Sequence, residues 1–249
     1  MHQSNTAMFV SEFIGTGLLV LLGTGVCANL QLRNSYGAGS DWLLISFGWG
    51  FAVFVGASVA WKSGAQINPA VTFGLALSNT IQWSMVPLLV TAQILGGITG
   101  AMLCYLAYKK QFDTQVNRAG LGGIFFTNAA VRSSFWNVIT EVIGTFVLVY
   151  WVLQSTPFEP GTGDAAPVFG NAALGYAAVS FVVISIGASL GGPTGYAINP
   201  ARDLGPRITY SLLRIKGKGT PNWGYAWIPI VGPLVGAAAA AGAFAVVGA

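Results

Sequence analysis

Apolar and polar positions follow one another along this chain in long blocks. Six apolar stretches of roughly 20 residues are separated by shorter polar segments. A helix of about 20 residues crosses the hydrocarbon core of a bilayer, whereas a membrane β-barrel would show alternating segments of about 10 residues. The pattern predicts six membrane-spanning helices, over residues 7–31, 42–61, 85–108, 135–153, 169–190 and 225 to the end.

Two further segments, 62–79 and 191–214, combine a loop of small residues with a short helix-compatible run. Asn is a favoured N-cap and Pro suits the first helical position. Each segment is therefore predicted to be an irregular strip of backbone that leads into the N-terminus of a short helix. The two motifs are Ser63-Gly64-Ala65-Gln66-Ile67-Asn68-Pro69-Ala70 and Gly192-Pro193-Thr194-Gly195-Tyr196-Ala197-Ile198-Asn199-Pro200-Ala201-Arg202-Asp203.

The two halves of the chain, approximately residues 7–110 and 135–249, repeat each other. The matched pairs are Glu12 and Glu141, Asn68 and Asn199, and Gly96 and Gly232, which stand 129, 131 and 136 positions apart. Each half holds three full helices, and an odd number forces the second half to enter the membrane upside down. The sequence thus predicts an inverted repeat, with both special loops near the bilayer midplane.

Non-helical backbone at that depth is tolerated only where it is buried in protein or lines a wet cavity. Two short helices of about 10 residues, joined end to end, would span about 30 Å. The arrangement predicts a seventh, split span and a pore, within a single channel domain covering residues 1–249. A Pro- and Gly-rich loop with Glu159 and Asp164 is expected between the fourth and fifth helices, and a polar loop is expected over 109–134.

Composition narrows the class further. Of the 249 residues, 54% are hydrophobic and only 7% are charged, whereas soluble domains average about 25% charged. The net charge of +4 comes without a basic patch interleaved with aromatics, so nucleic-acid binding is not indicated. Cys27 and Cys104 lie in apolar runs and are expected to be inert thiols. His2 stands alone in a polar stub, so no metal or cofactor site is expected.

The two Asn-Pro-Ala boxes, the inverted halves and the Glu near the start of each half resemble the major intrinsic protein family. Asp203 after Arg202, and Pro229-Ile230 in the last helix, resemble its aquaglyceroporin branch. The resemblance covers essentially the whole chain. It implies a passive, non-enzymatic channel for glycerol, other small neutral solutes and water. It also implies a homotetramer in the lipid bilayer of the cell membrane, with both termini in the cytoplasm.

The resemblance assigns roles to individual residues, and the assigned groups are listed here. The pore boxes are Asn68, Pro69, Ala70, Asn199, Pro200 and Ala201; the selectivity filter is Trp49, Gly187, Tyr196 and Arg202. Pore carbonyls are expected from Gly64, Ala65, Gln66, Ile67, Gly195, Tyr196, Ala197 and Ile198. The residues themselves predict structural support, since Glu12 and Glu141 lie in apolar surroundings and Asp203 and Arg207 form an i,i+4 pair.

Two of these positions depart from the family pattern. Tyr196 stands where glycerol channels often have Phe, and its hydroxyl predicts an altered preference between glycerol and water. Gln66 replaces a His common in relatives, so pH gating through that position is not expected.

Other interpretations remain open at this point. Asn68 and Asn199 could serve only as N-caps, Trp49 could be a packing or lipid-facing residue, and the two glutamates could relay protons. The pore could favour water, dihydroxyacetone, urea or protonated lactic acid. A secondary transporter would need an ion-coupling site, and a membrane enzyme would need a catalytic cluster that the sequence does not offer. The basic connectors also oppose the orientation implied by the family.

Overall fold

The structure, a computed structural model, describes residues 4–155 and 169–247. Helices account for all the regular secondary structure within these two ranges. His2, Glu159 and Asp164 lie outside the described residues.

Six long helices form the body of the protein. Their bounds agree with the hydropathy pattern to within a few residues. They are α1 (Asn5–Gln31), α2 (Trp42–Val59), α4 (Val86–Ala107), α7 (Ser134–Gln154), α8 (Phe169–Leu190) and α10 (Ile228–Val247). Within the described ranges, all but α8 meet the length and hydropathy of a membrane span, and α8 is itself 22 residues long with an apolar segment over Gly175–Leu190. The chain is therefore a multi-pass helical membrane protein.

Two half-helices complete the membrane region. The first, α3 (Pro69–Leu77), has 9 residues, and the second, α9 (Pro200–Leu212), has 13. At 1.5 Å per residue they are about 14 and 20 Å long, so together they match the bilayer core of about 30 Å. Each begins with Pro at its first position, where the missing N–H costs nothing, and is capped by the preceding Asn.

Glycines let the long helices approach closely at matching places in the two halves. A Cβ on Gly100 of α4 would lie 2.2 Å from the Gly17 carbonyl oxygen of α1. A Cβ on Gly236 of α10 would lie 2.4 Å from the Val142 carbonyl oxygen of α7. Small residues at such contacts stabilise helix pairs in lipid through close packing. The two equivalent contacts follow directly from the inverted repeat.

The connector over 109–134 is not the plain polar loop that the sequence predicted, and that prediction was wrong. It contains two short helices, α5 (Lys109–Asp113) and α6 (Gly122–Phe125). Phe112 and Phe125 are 1% and 0% exposed, and their rings pack together 5.8 Å apart. The apolar residues are too few and too scattered to show a helical period, but burial between the surrounding helices folds the segment back onto the bundle.

Candidate pore site

The two loops that precede the half-helices have the same unusual backbone. Matching residues lie in the left-handed region, which bulky and β-branched residues rarely adopt. They are Gly64, Ala65 and Ile67 in the first loop, and Gly195, Tyr196 and Ile198 in the second. Each such non-glycine residue costs about 1–3 kcal/mol, and a strain of this kind persists only where the surrounding structure imposes it.

Two buried carboxylates hold the loops in this conformation. Glu12 accepts hydrogen bonds from the backbone N–H groups of Gln66 (2.9 Å) and Ile67 (2.7 Å). Glu141 accepts the equivalent bonds from Ala197 (2.9 Å) and Ile198 (2.8 Å). Both side chains are at most 1% exposed. Each carboxylate accepts two backbone hydrogen bonds and so stabilises its loop. Oxygens that are occupied in this way are not placed to relay protons.

The glutamates also determine where the loop carbonyls point. In a planar trans peptide the C=O lies opposite the N–H. Because the N–H groups of Gln66 and Ile67 face Glu12, the carbonyls of Ala65 and Gln66 face away from it. The carbonyls of the equivalent residues in the second loop, which precede Ala197 and Ile198, face away from Glu141 for the same reason.

Asn68 and Asn199 connect the two loops across the middle of the molecule. Asn68 Nδ2 donates to the carbonyl oxygen of Ile198 at 2.8 Å, and Asn199 Nδ2 donates to that of Ile67 at 2.9 Å. The side-chain oxygen of Asn68 caps its own half-helix by accepting from the N–H of Ala70 at 2.8 Å. Each Asn therefore does more than cap a helix, because the N-termini of α3 and α9 meet through this pair.

A second cluster lies one turn beyond Asn199. The guanidinium carbon of Arg202 lies 3.8 Å from the centre of the Trp49 ring, a close cation–π contact. Tyr196 packs against Gly187, where a Cβ would lie only 2.8 Å from the tyrosine Cζ. The structure thus pairs Arg202 with Trp49 and Tyr196 with Gly187, the residues that the family resemblance grouped as a filter.

The two arginines of α9 have opposite environments. Arg207 is 0% exposed, and it donates to the Asp203 carboxylate and to the carbonyl oxygens of Thr127, Pro221 and Asn222. The guanidinium of Arg202 donates no hydrogen bond to any residue within 4–155 and 169–247, and only its backbone N–H is bound, to Asn199 Oδ1. Arg207 is occupied by the fold, whereas the part of the chain that the structure describes leaves the guanidinium donors of Arg202 available.

Several supporting residues were missed by the sequence analysis. Gln93 donates to Glu12 at 2.7 Å, and Thr127 donates to Asp203 through both its N–H (2.8 Å) and its hydroxyl (2.7 Å). The Trp49 indole N–H donates to Cys27 Sγ at 3.4 Å. Gln93 could have been found as an amide within an apolar helix, but the sequence carries no signal that would join Thr127 to α9.

A helical membrane protein whose two half-helices meet at their N-termini, with braced polar loops at the meeting point, belongs to the class of membrane channels. The chain is a member of the major intrinsic protein family, whose family model matches residues 1–244. It is accordingly a channel and not an enzyme.

Its similarity to characterised members extends over nearly the full length. It is 44% identical to the glycerol uptake facilitator protein of Bacillus subtilis, covering 92% of this chain and 80% of the relative. It is also 44% identical to glycerol uptake facilitator protein 3 of Lactiplantibacillus plantarum, covering 96% and 95%. The X-ray structure of the aquaglyceroporin from Plasmodium falciparum superposes with a TM-score of 0.79, at 31% identity and with 96% and 95% of the chains covered.

Proposed function

We propose that this channel conducts glycerol, other small uncharged solutes and water passively, and that it excludes ions and protons. The observation that carries the proposal is the Arg202 guanidinium, which is stacked on Trp49 and donates to no residue within the described ranges. Tyr196, packed against Gly187, would supply the second aromatic wall. Glycerol has hydroxyls on one edge and carbon on the other. Arg202 and the loop carbonyls would bind the hydroxyls, while the two aromatic rings would contact the CH edge.

Ion exclusion would arise at the meeting point of the half-helices. Each helix N-terminus carries about half a positive charge, and two of them face each other here. The amide groups of Asn68 and Asn199 add hydrogen-bond donors at the same place. Cations are repelled by this field, and a water molecule oriented by two donors cannot pass a proton along a chain of hydrogen bonds.

The carboxylates argue against a secondary transporter. Coupling to protons would need a free acidic group beside the path. Glu12 and Glu141 are occupied by backbone donors, and Asp203 is bound to Arg207 and Thr127. A pore that prefers water, dihydroxyacetone, urea or protonated lactic acid would use the same filter and is distinguished only by transport measurements.

Stopped-flow light scattering on proteoliposomes tests the proposal. We expect linear, non-saturating glycerol and water fluxes with low activation energies, and no current under an ion gradient. The urea flux, measured in a parallel experiment, shows whether the channel also conducts other small neutral solutes. Saturable uptake that accumulates solute against its gradient would overturn the proposal in favour of a transporter.

The Tyr196→Phe substitution is expected to shift the preference toward glycerol. The Tyr196 hydroxyl donates to the carbonyl oxygen of Ile45 at 3.4 Å, which is a weak hydrogen bond, and removal of the hydroxyl leaves an apolar wall. We expect the ratio of glycerol to water permeability to rise about twofold, as for the loss of a weak polar contact. A ratio that stays constant or falls would show that this hydroxyl does not narrow or polarise the path.

The protein is further proposed to be a homotetramer in the cell membrane, with both termini in the cytoplasm. In that orientation the segment before α7 faces outward. A cysteine introduced at Ser133, which is half-buried at the start of α7, should react with an impermeant maleimide from outside intact cells. Labelling that requires permeabilised cells would show that the orientation is the opposite one.

Crosslinking in detergent would test for four subunits.

A further inference from the structure

The ring of Tyr196 is surrounded by residues from outside its own loop. Its backbone φ of 38° lies in the left-handed region, and its ring lies beside Gly187 and Gly191. A Cβ on Gly191 would lie 2.6 Å from Tyr196 Cδ1 and 2.7 Å from Cζ2 of Trp42. The indole of Trp42, which belongs to another helix, therefore lies close to the Tyr196 ring.

Trp42, the first residue of α2, makes two contacts at this place. Its Nε1–H donates to the carbonyl oxygen of Gly187 at 2.8 Å. Gly187 lies in the last turn of α8, where backbone carbonyls lack partners within the helix. The indole also meets the Tyr196 ring edge-on, with ring centres 5.8 Å apart and an interplanar angle of 79°, a favourable aromatic geometry.

The start of α2 is itself well anchored. Asp41 caps it by accepting from the N–H groups of Leu43 (3.0 Å) and Leu44 (3.3 Å). One turn further on, the carbonyl of Ile45 accepts the weak bond from the Tyr196 hydroxyl. The first turn of α2 thus contacts Tyr196 through the Trp42 ring and at the hydroxyl, and it binds the backbone of Gly187.

Trp42 is 40% exposed and could be regarded as an interfacial anchor, as Trp residues near membrane surfaces often are. An anchor of that kind directs its N–H toward water or lipid headgroups. Here the N–H is directed inward, to a carbonyl beside the proposed filter. Its direction favours a role within the protein.

We propose that Trp42 is a positioning residue that sets the width of the filter by fixing the Tyr196 ring against Gly187. This inference rests on the proposed filter function of Tyr196. Trp42 does not itself need to touch the solute. Without it, the Tyr196 ring would lose its edge contact and the last turn of α8 would lose a hydrogen bond, so the wall could retreat and admit longer polyols.

The test is a double-mutant cycle between Trp42→Ala and Tyr196→Ala, measured as the ratio of ribitol to glycerol permeability in proteoliposomes. We expect Trp42→Ala alone to raise the ratio by about 2- to 10-fold, which is the lower part of the range of coupling between contacting residues. In the Tyr196→Ala background, the same change should alter the ratio by less than about 1.5-fold, because the ring that Trp42 positions is already absent. Trp42→Phe keeps a ring without the N–H and should give an intermediate ratio.

Trp136→Ala is the matched control, since Trp136 is 64% exposed at the start of α7 and should leave the ratio unchanged. If Trp42→Ala does not assemble, Trp42→Phe carries the test. Equal effects of Trp42→Ala in both backgrounds, or none in the wild type, would overturn the proposal for Trp42. If Tyr196→Ala itself leaves the ratio unchanged, the filter assignment fails instead, so the two failures are distinguishable.

Discussion

Replacing Arg202 by valine is expected to raise the conductance of protons or small cations by about tenfold or more. The substitution removes a full positive charge from a site that is 7% exposed, where charges near the path interact with an effective strength of a few kcal/mol. Each 1.4 kcal/mol of barrier corresponds to a factor of ten. The N–H groups that would donate to solute hydroxyls disappear with the charge, so the ratio of glycerol to water permeability should fall as well.

Proton leak is measured with a pH-sensitive dye inside proteoliposomes, beside glycerol and water fluxes on the same preparation. Arg214→Val is a suitable control, because Arg214 is exposed just beyond the C-terminus of α9. Arg202→Lys keeps the charge but loses the planar fork, so it should restore ion exclusion more fully than solute selection. Unchanged proton leak and an unchanged solute ratio in Arg202→Val would refute the filter role of this arginine.

Replacing Arg207 by methionine is expected to lower stability strongly without acting on selectivity directly. The Arg207 Nη2 lies 2.7 Å from Asp203 Oδ1, and both side chains are at most 2% exposed. Removing one partner of a buried ion pair leaves the other charge uncompensated, which typically costs about 3–5 kcal/mol. Three backbone carbonyls, in the connector before α7 and the loop after α9, would lose their donor at the same time.

Apparent melting temperature, followed by fluorescence-detected size exclusion, should fall on the order of 10 °C. The pair formed by Lys109 and Asp113 provides the control, since these side chains are 45% and 50% exposed and an exposed pair contributes little. The double substitution Asp203→Asn with Arg207→Met removes the stranded charge and should recover part of the loss. A melting temperature equal to the wild type would mean that α9 is held by packing alone.

Local sequence chemistry was sufficient to predict the half-helices. Asn followed by Pro specifies a helix start through capping and a preset φ, whatever the surroundings, and both half-helices begin at that Pro. The long helices were predictable for a similar reason, because lipid requires about 20 apolar residues in a row. The connector before α7 was mispredicted, since a few buried aromatic residues in a mixed segment produce no periodic signal.

The sequence could also suggest, through its repeat and its family resemblance, which residues belong to the site. The sequence could not show which hydrogen-bond partners these residues have. The sequence assigned Arg202 to the filter and Arg207 to structural support. Only the structure shows that Arg207 is fully bound, whereas the Arg202 guanidinium meets no acceptor within 4–155 and 169–247. Likewise, nothing near Trp42 in the sequence indicates that its indole would bind Gly187, which is 145 residues away.

Periodicity, helix capping and the repeat depend on neighbouring residues or on matching segments. They therefore determined the number of long helices, the half-helix starts and the inverted halves. The tertiary structure alone decided which donors are occupied, which carbonyls turn away from the glutamates and which rings meet at the proposed filter. The physical reason is that hydrogen bonds and ring contacts between distant segments depend on distances of a few ångströms, and these distances exist only once the two halves have packed together.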